Sequence, residues 1–280
     1  MAQGYTEAHE AGDTNSEQWF AHDLTTIHGA ATQHSGLHLQ VYPTEPCFRF
    51  TNDVWCELLR MRCGLLPSFQ NRLQGHCHPG CGRDLHNAPE DPFHVMNCSK
   101  SGLFHYPHDA SRNVLAAWLR QFLPELHVTK EAHLSDKPNP WRSDLLVSGF
   151  THCKTPSFHI DLTGVSLHAA AHRKESIRGH PATSKKREEE KRKKYSTKIP
   201  ADMTFVPLVI ELPGGFGTEA KRFFSALAKE MKKRSGIKPS YPLTLLRSRL
   251  MCTYKKYHML KVIKNAKSHL LPNHEADYGS

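Results

Sequence analysis

Asp144, Asp161, Lys191 and Tyr195 follow one another in an order that suits metal-assisted hydrolysis of a phosphodiester. Such chemistry needs carboxylates to hold Mg²⁺ near the scissile phosphate, and a lysine to steady developing charge or help activate the water. Asp144 begins the extended run SDLLVSGF, and Asp161 lies in SFHIDLTGVSL between Ile160 and Leu162. A lone carboxylate among such apolar neighbours is costly unless it is paired or bound to metal. If the two runs form a hairpin, alternation lets both aspartates project to one edge. Glu131, on the preceding extended run, is a third oxygen donor. Lys191 and Tyr195 are four residues apart and share a helix face, with Lys194 beside them. Plainer readings exist for each: Asp144 as a strand cap, Asp161 facing solvent, and the lysines as a solvated helix or a nuclear localisation tract. The joint order of the groups favours the chemical reading.

A second cluster is of another kind. Cys77-x3-Cys81-x12-His94-x3-Cys98 supplies three thiolates and an imidazole, a complete tetrahedral set for Zn²⁺. His94 is preferred on spacing, with His76, His78 and His86 as competitors for the fourth position. Gly80 and Gly82 allow the tight turn that brings amides to a thiolate sulfur. Four ligands close the site, so its role is structural. Cys56, Cys63, Cys153 and Cys252 sit in apolar surroundings and read as ordinary buried thiols.

The elements that must position these groups follow from periodicity. NDVWCELLRMRCGLL has a helical stripe of Val54, Leu58, Met61 and Leu65 that stops near Gly64 and Pro67. DASRNVLAAWLRQFL predicts a helix with its N-cap at Asp109 or Ser111. Strands are predicted at 127–134, 143–150 and 157–167, followed by an exposed charged helix with Glu188–Lys191 and Glu190–Lys194 pairs. MTFVPLVIEL (203–212) is a buried strand ending at Pro213-Gly214-Gly215. Two amphipathic helices with basic faces complete the chain.

With 280 residues, one main domain and a small satellite fit the length. The expected divisions are a mobile leader (1–44), a helix with the zinc knuckle (45–105), a catalytic core (106–235) and a basic helical segment (236–280). A formal charge of +10 favours a polyanionic partner. No apolar run spans a membrane and the polar, acidic N-terminus is unlike a signal peptide, so an intracellular, reducing setting is expected, with the nucleus as the place for a DNA partner.

Taken together, the two Cys/His pairs, His108-Asp109, Glu131, Ser143-Asp144, Asp161-Leu-Thr163, Lys191-x3-Tyr195 and FVPLVIELPGGFG resemble the restriction-like endonuclease of non-LTR retrotransposon proteins, a relative of the PD-(D/E)xK nucleases. The resemblance covers roughly residues 50–235 and lies in motif order. It implies an α/β fold, a restriction-endonuclease-like mixed sheet flanked by helices and preceded by the zinc knuckle. It further implies Mg²⁺ ligation by Asp144 and Asp161, assistance from Glu131, charge stabilisation by Lys191 with Tyr195 nearby, and Lys194 as the substitute one turn away. His108 corresponds to the histidine of the family's Arg-His pair. Ser143 stands where proline is usual and Pro107 where arginine is usual. The implied function is a Mg²⁺-dependent endonuclease acting on duplex DNA, with no small-molecule cofactor. The alternatives are an inactive nucleic-acid binder that keeps the fold, and a zinc-organised adaptor for protein partners.

Overall fold

The computed structural model describes residues 23, 25–28, 30–31, 36–68, 77, 81–83, 93–98, 100, 105–133, 142–195, 197–200, 202–212, 214–234 and 236–270; the side chains at 265 and 267–270 are excepted. His76, His78, His86, Gly80 and most of the leader lie outside this set.

The elements are α1 (Leu37–Gln40), α2 (Asn52–Arg62), α3 (His94–Asn97), α4 (His105–Phe122), β1 (His127–His133), β2 (Arg142–Ser148), β3 (Ser157–Ser166), α5 (Arg173–Ile177), α6 (Ala182–Tyr195), β4 (Thr204–Leu212), β5 (Gly215–Phe216), α7 (Thr218–Arg234) and α8 (Ser240–Leu270). The five strands form one mixed sheet in the order β1-β2-β3-β4-β5. β1, β2 and β3 run antiparallel, β3 and β4 run parallel, and β5 returns antiparallel to β4. The parallel step requires a crossover, which α5 and α6 provide.

Alternation fixes what each face carries. Leu145, Val147, Phe158, Ile160, Leu162, Val206, Leu208 and Ile210 are buried in a common core with α4, α7 and α8. The apolar stripe of α4, with Leu115, Trp118 and Leu119 fully buried, meets α8, and the Trp118 indole N–H donates to the Pro242 carbonyl at 3.0 Å. Burying a large aromatic stabilises by about 2–3 kcal/mol, and the bond satisfies the one polar group it carries. α6 packs against β4 and β3, with Tyr195 tilted over Phe205 at 5.0 Å between centroids.

Several local expectations change. α4 begins at His105, so Asp109 and Ser111 lie inside it, and Asp109 is engaged by His108 and Arg112 instead of capping. Thr51 caps α2, its side chain accepting from Val54 N. The side chain of Cys56 and that of Cys63 are exposed and Cys153 is partly so, leaving Cys252 as the buried thiol of those four. Cys56 lies on α2 away from its buried stripe, Cys63 at its C-cap and Cys153 in the loop between β2 and β3, where an apolar sequence neighbourhood does not guarantee burial.

Glu188 does not pair with Lys191 on an exposed face. It is buried and accepts from the Glu219 backbone N–H at 2.9 Å, closing the start of α7. Glu190 instead meets Arg187 at 2.8 Å. Glu211, wholly buried at the end of β4, accepts from Ser184 N at 3.0 Å and from His180 Nδ1 at 2.6 Å. Two carboxylates thereby satisfy helix N-termini, where orphan N–H groups and the helix dipole favour an anion. This anchorage sets the start of α6 and with it the reach of Lys191.

The last helix also departs from a simple basic face. Lys255, His258 and Lys261 of α8 are buried, and Arg247 lies over the Phe224 ring. The packed body begins before residue 45, because α1 sits against α8 with His38 buried beside Lys255. Among the described residues no helix is long and apolar enough to cross a membrane.

Candidate functional site

β2 and β3 are hydrogen-bonded neighbours only as far as the Leu145↔Ile160 pair; the described register does not continue to Asp144 and Asp161, the next residues on each strand. The two aspartates therefore stand where the strands part. Separation leaves β3 backbone groups in need of partners, and Asp144 Oδ2 accepts from Leu162 N at 2.5 Å. Asp161 is 5 % exposed on the face that α6 covers.

Each acid is met by a cation of the protein. Lys191 Nζ lies 2.7 Å from Asp161 Oδ2, an ion pair whose direction leaves this sealed oxygen without a well-aimed hydrogen bond. Tyr195, one turn further along α6, donates its hydroxyl to the same carboxylate. Burial pushes the Asp161 carboxyl above its ordinary range; Lys191 opposes that shift and the nearby Asp144 adds to it. Burial, together with the Asp161 charge, pushes the Tyr195 phenol upward, so it is a hydrogen-bond donor at neutral pH.

On the other side, His108 Nε2 is 3.0 Å from Asp144 Oδ2, and His108 Nδ1 is 3.0 Å from Asp109 Oδ1. The bond to Asp144 raises the His108 pKa above its ordinary value, burial opposes this, and the Asp144 and Asp109 charges reinforce it. An imidazolium between two carboxylates can donate from both nitrogens. Burial tends to raise Asp109, but His108 and Arg112 hold it below the usual carboxylate range. Arg112 also reaches Glu131. Alternating charges thus run from Glu131 through Arg112, Asp109 and His108 to Asp144.

Glu131 occupies the register position between the Lys130↔Leu145 and Ala132↔Ser143 pairs, opposite Asp144, with φ of 53°. Its half-exposed carboxylate is turned to Arg112, and β2 lies between its strand and that of Asp161. Lys194 is exposed and lies 5.2 Å from the Tyr195 ring centroid, while Lys191 is the lysine at the carboxylate. The helical phase of α6 decides between them, since a three-residue step turns Lys194 about 60° from Lys191's direction. Ser143, just before Asp144, places Oγ 2.9 Å from His159 Nδ1. Burial lowers the His159 pKa, consistent with a neutral ring.

A cavity of about 520 Å³ opens beside Asp161 and Lys191 along the Asp161–Ser166 half of β3. Asp144 is not on its wall; His108 stands there instead. The far wall comes from α8 through Tyr254, His258 and Lys261. Gly164 permits this approach, because a Cβ there would overlap the Tyr254 hydroxyl. These α8 residues lie about a hundred positions beyond Asp161, and their one sequence signal is the four-residue Tyr254-His258 spacing.

The second centre lies at the start of α3. The ligand atoms of Cys77, Cys81, His94 and Cys98 all fall within 4.8 Å of one another, a spacing compatible with tetrahedral Zn²⁺. Cys81 Sγ is 3.2 Å from His94 Nε2; burial opposes ionisation, yet this bond and others bring the Cys81 pKa down to about 7. Cys77 N donates to Arg83 O at 2.9 Å, and Gly82, with φ of 66°, makes the turn between them. Phe93, Val95 and Met96 bury into the main core, coupling the cluster to the sheet. A Cys₃His set of this compactness can bind zinc.

Neither the models of known protein families nor the curated proteins include a match to this chain.

Proposed function

We propose that the chain is a Mg²⁺-dependent DNA endonuclease with a restriction-endonuclease-like core and a structural zinc knuckle. The observation that carries this reading is the meeting of Asp144 and Asp161 at the parting of β2 and β3, with Lys191 2.7 Å from Asp161. The donor set suits Mg²⁺: both candidate ligands are hard carboxylates, and the buried Asp161 oxygen that meets Lys191 would exchange part of that ion pair for the metal. When bound, Mg²⁺ supplies Lewis-acid activation of the phosphate and of a water.

The protein's own groups have separate roles in this reading. Lys191 places a positive charge where the phosphorane develops negative charge, and Tyr195 fixes the Asp161 carboxylate. His108 orients Asp144 while the Asp109–Arg112 chain holds the imidazole. The excess of basic residues grips the phosphate backbone, with a nuclear DNA target as the natural partner.

Purified protein should nick duplex DNA with Mg²⁺, and Asp161→Ala should abolish nicking while DNA binding persists. Cutting that survives this substitution removes Asp161 from the site.

The ion pairs also favour a second reading, a nucleic-acid binder that no longer cuts. Both acids are already neutralised by Lys191 and His108, and Asp144 is off the cavity wall. It predicts binding that weakens steeply with salt, and no cleavage with any divalent ion.

A further inference from the structure

The cavity beside Asp161 extends beyond what two acids and a lysine require. Asp161 is the one carboxylate among its described lining residues, whereas His108, His172, Arg187, Lys191, His258 and Lys261 all contribute basic groups. His258 is 6 % exposed, and its Nε2 has no hydrogen-bond partner among the described residues. His172 Nδ1 is also buried without one. Unpaired buried nitrogens are uncommon, and here two belong to side chains that line the same cavity, where a ligand's acceptors or donors would complete them. The Tyr254 and His258 rings lie nearly parallel at 6.1 Å, held against β3 by the space that Gly164 leaves.

Size identifies what can enter. At about 520 Å³ the cavity falls within the ~300–1,000 Å³ of pockets that engulf a small molecule. One nucleotide fits such a volume; a duplex, whose major groove alone is about 12 Å wide, does not. We propose that the cavity receives a single unpaired nucleotide of the strand to be cut, so that the substrate carries an unpaired or extruded nucleotide beside the scissile phosphate. His258 and His172 bond the base edge or phosphate oxygens, and Arg187 and Lys261 neutralise the flanking phosphates. Extrusion from a paired helix costs pairing and stacking and is cheapest where the nucleotide is already unpaired. The inference rests on the nuclease reading for its choice of nucleic acid.

The test compares a short duplex carrying one unpaired adenine with the same duplex fully paired. Binding to the zinc-loaded full chain is measured by fluorescence anisotropy in Mg²⁺-free buffer. The unpaired substrate should bind at least about tenfold more tightly, as a difference of ~1.4 kcal/mol requires. 2-Aminopurine at the unpaired position should change its emission on binding. His258→Leu should bring the affinity ratio toward unity. His172→Ala, on a short turn of helix at the rim, should reduce it, with thermal melts reporting that each variant is folded. Equal affinities in the unsubstituted protein, or a ratio unchanged in the folded variants, overturn the proposal. Mg²⁺-dependent cleavage is scored separately. Cutting without the preference leaves the nuclease reading and ends this one, while the preference without cutting does the reverse.

Discussion

The Cys/His cluster and the paired aspartates differ in how their charge is balanced. At Cys77, Cys81, His94 and Cys98, soft donors crowd within 4.8 Å and the binding of a cation requires deprotonated thiols. At Asp144 and Asp161 the protein supplies the cations itself, through His108 and Lys191. The first arrangement has a full set of four donors for a metal, which would close it to further ligands. The second is stable without one, and a metal or phosphate entering it must rearrange existing ion pairs. Closeness of acidic or thiol groups alone does not distinguish a structural centre from a chemical one; the identity of the compensating charge does.

The largest expected effect is at the cluster. Cys98→Ala should reduce bound zinc from about one equivalent to near none by elemental analysis, and should destabilise the fold by roughly 5 kcal/mol or more, since structural zinc contributes on the order of 10 kcal/mol in small modules. The loss should spread beyond the loop because Phe93, Val95 and Met96 carry it into the core. Full zinc content with an unchanged melt in this variant would erase the contrast between the two centres.

At the aspartates the effect should be smaller and reciprocal. Asp161→Asn leaves the Lys191 charge in a largely buried place without its anion and should cost about 3 kcal/mol in urea unfolding. Replacing both residues, Asp161→Asn with Lys191→Met, should recover much of that loss. Additive costs in the double-mutant cycle would mean that the two side chains are not energetically paired.

The sheet was readable from the chain because its signals are local. β2, β3 and β4 combine β-branched or apolar runs with turn residues at their ends, and the order acid, acid, lysine, tyrosine survives in the site because consecutive elements pack beside one another. The Cys/His cluster was readable for the same reason: its spacing is itself the geometry. What local pattern could not carry was burial of charge. Glu188 reads as an exposed helix position and Glu211 as the end of a buried strand, yet both end up beneath helix N-termini. Lys194 and Lys191 are equivalent by composition and are separated by helix phase against β3. The cavity's α8 wall depends on Gly164 and Tyr254, ninety residues apart, and no period links them. The start of α4 was misplaced because Asp109 has capping chemistry but is occupied by His108 and Arg112.

Lys255 supplies the finest test of charge compensation, since its described hydrogen bond is to an imidazole, with Nζ donating to His38 Nδ1 at 3.0 Å. Burial lowers its pKa from 10.5 to about 7, an effect that the nearby Cys252 opposes and the charge of Arg62 reinforces. The unfolded chain therefore binds the proton more tightly than the folded one. The resulting destabilisation is complete below pH 7 and is relieved as pH rises toward the ordinary lysine value, where both states lose the proton. Stability contributed by this position should accordingly increase between about pH 7 and pH 10. Lys255→Met keeps the length of the side chain and removes the charge, so it should stabilise the protein at pH 7 by on the order of 1–2 kcal/mol and flatten that part of the stability profile. Denaturant unfolding of both proteins at several pH values checks the sign. A Met variant less stable at pH 7, with the same pH slope as its parent, would show that Lys255 is held as a well-compensated cation, as Lys191 is, rather than as a burial cost.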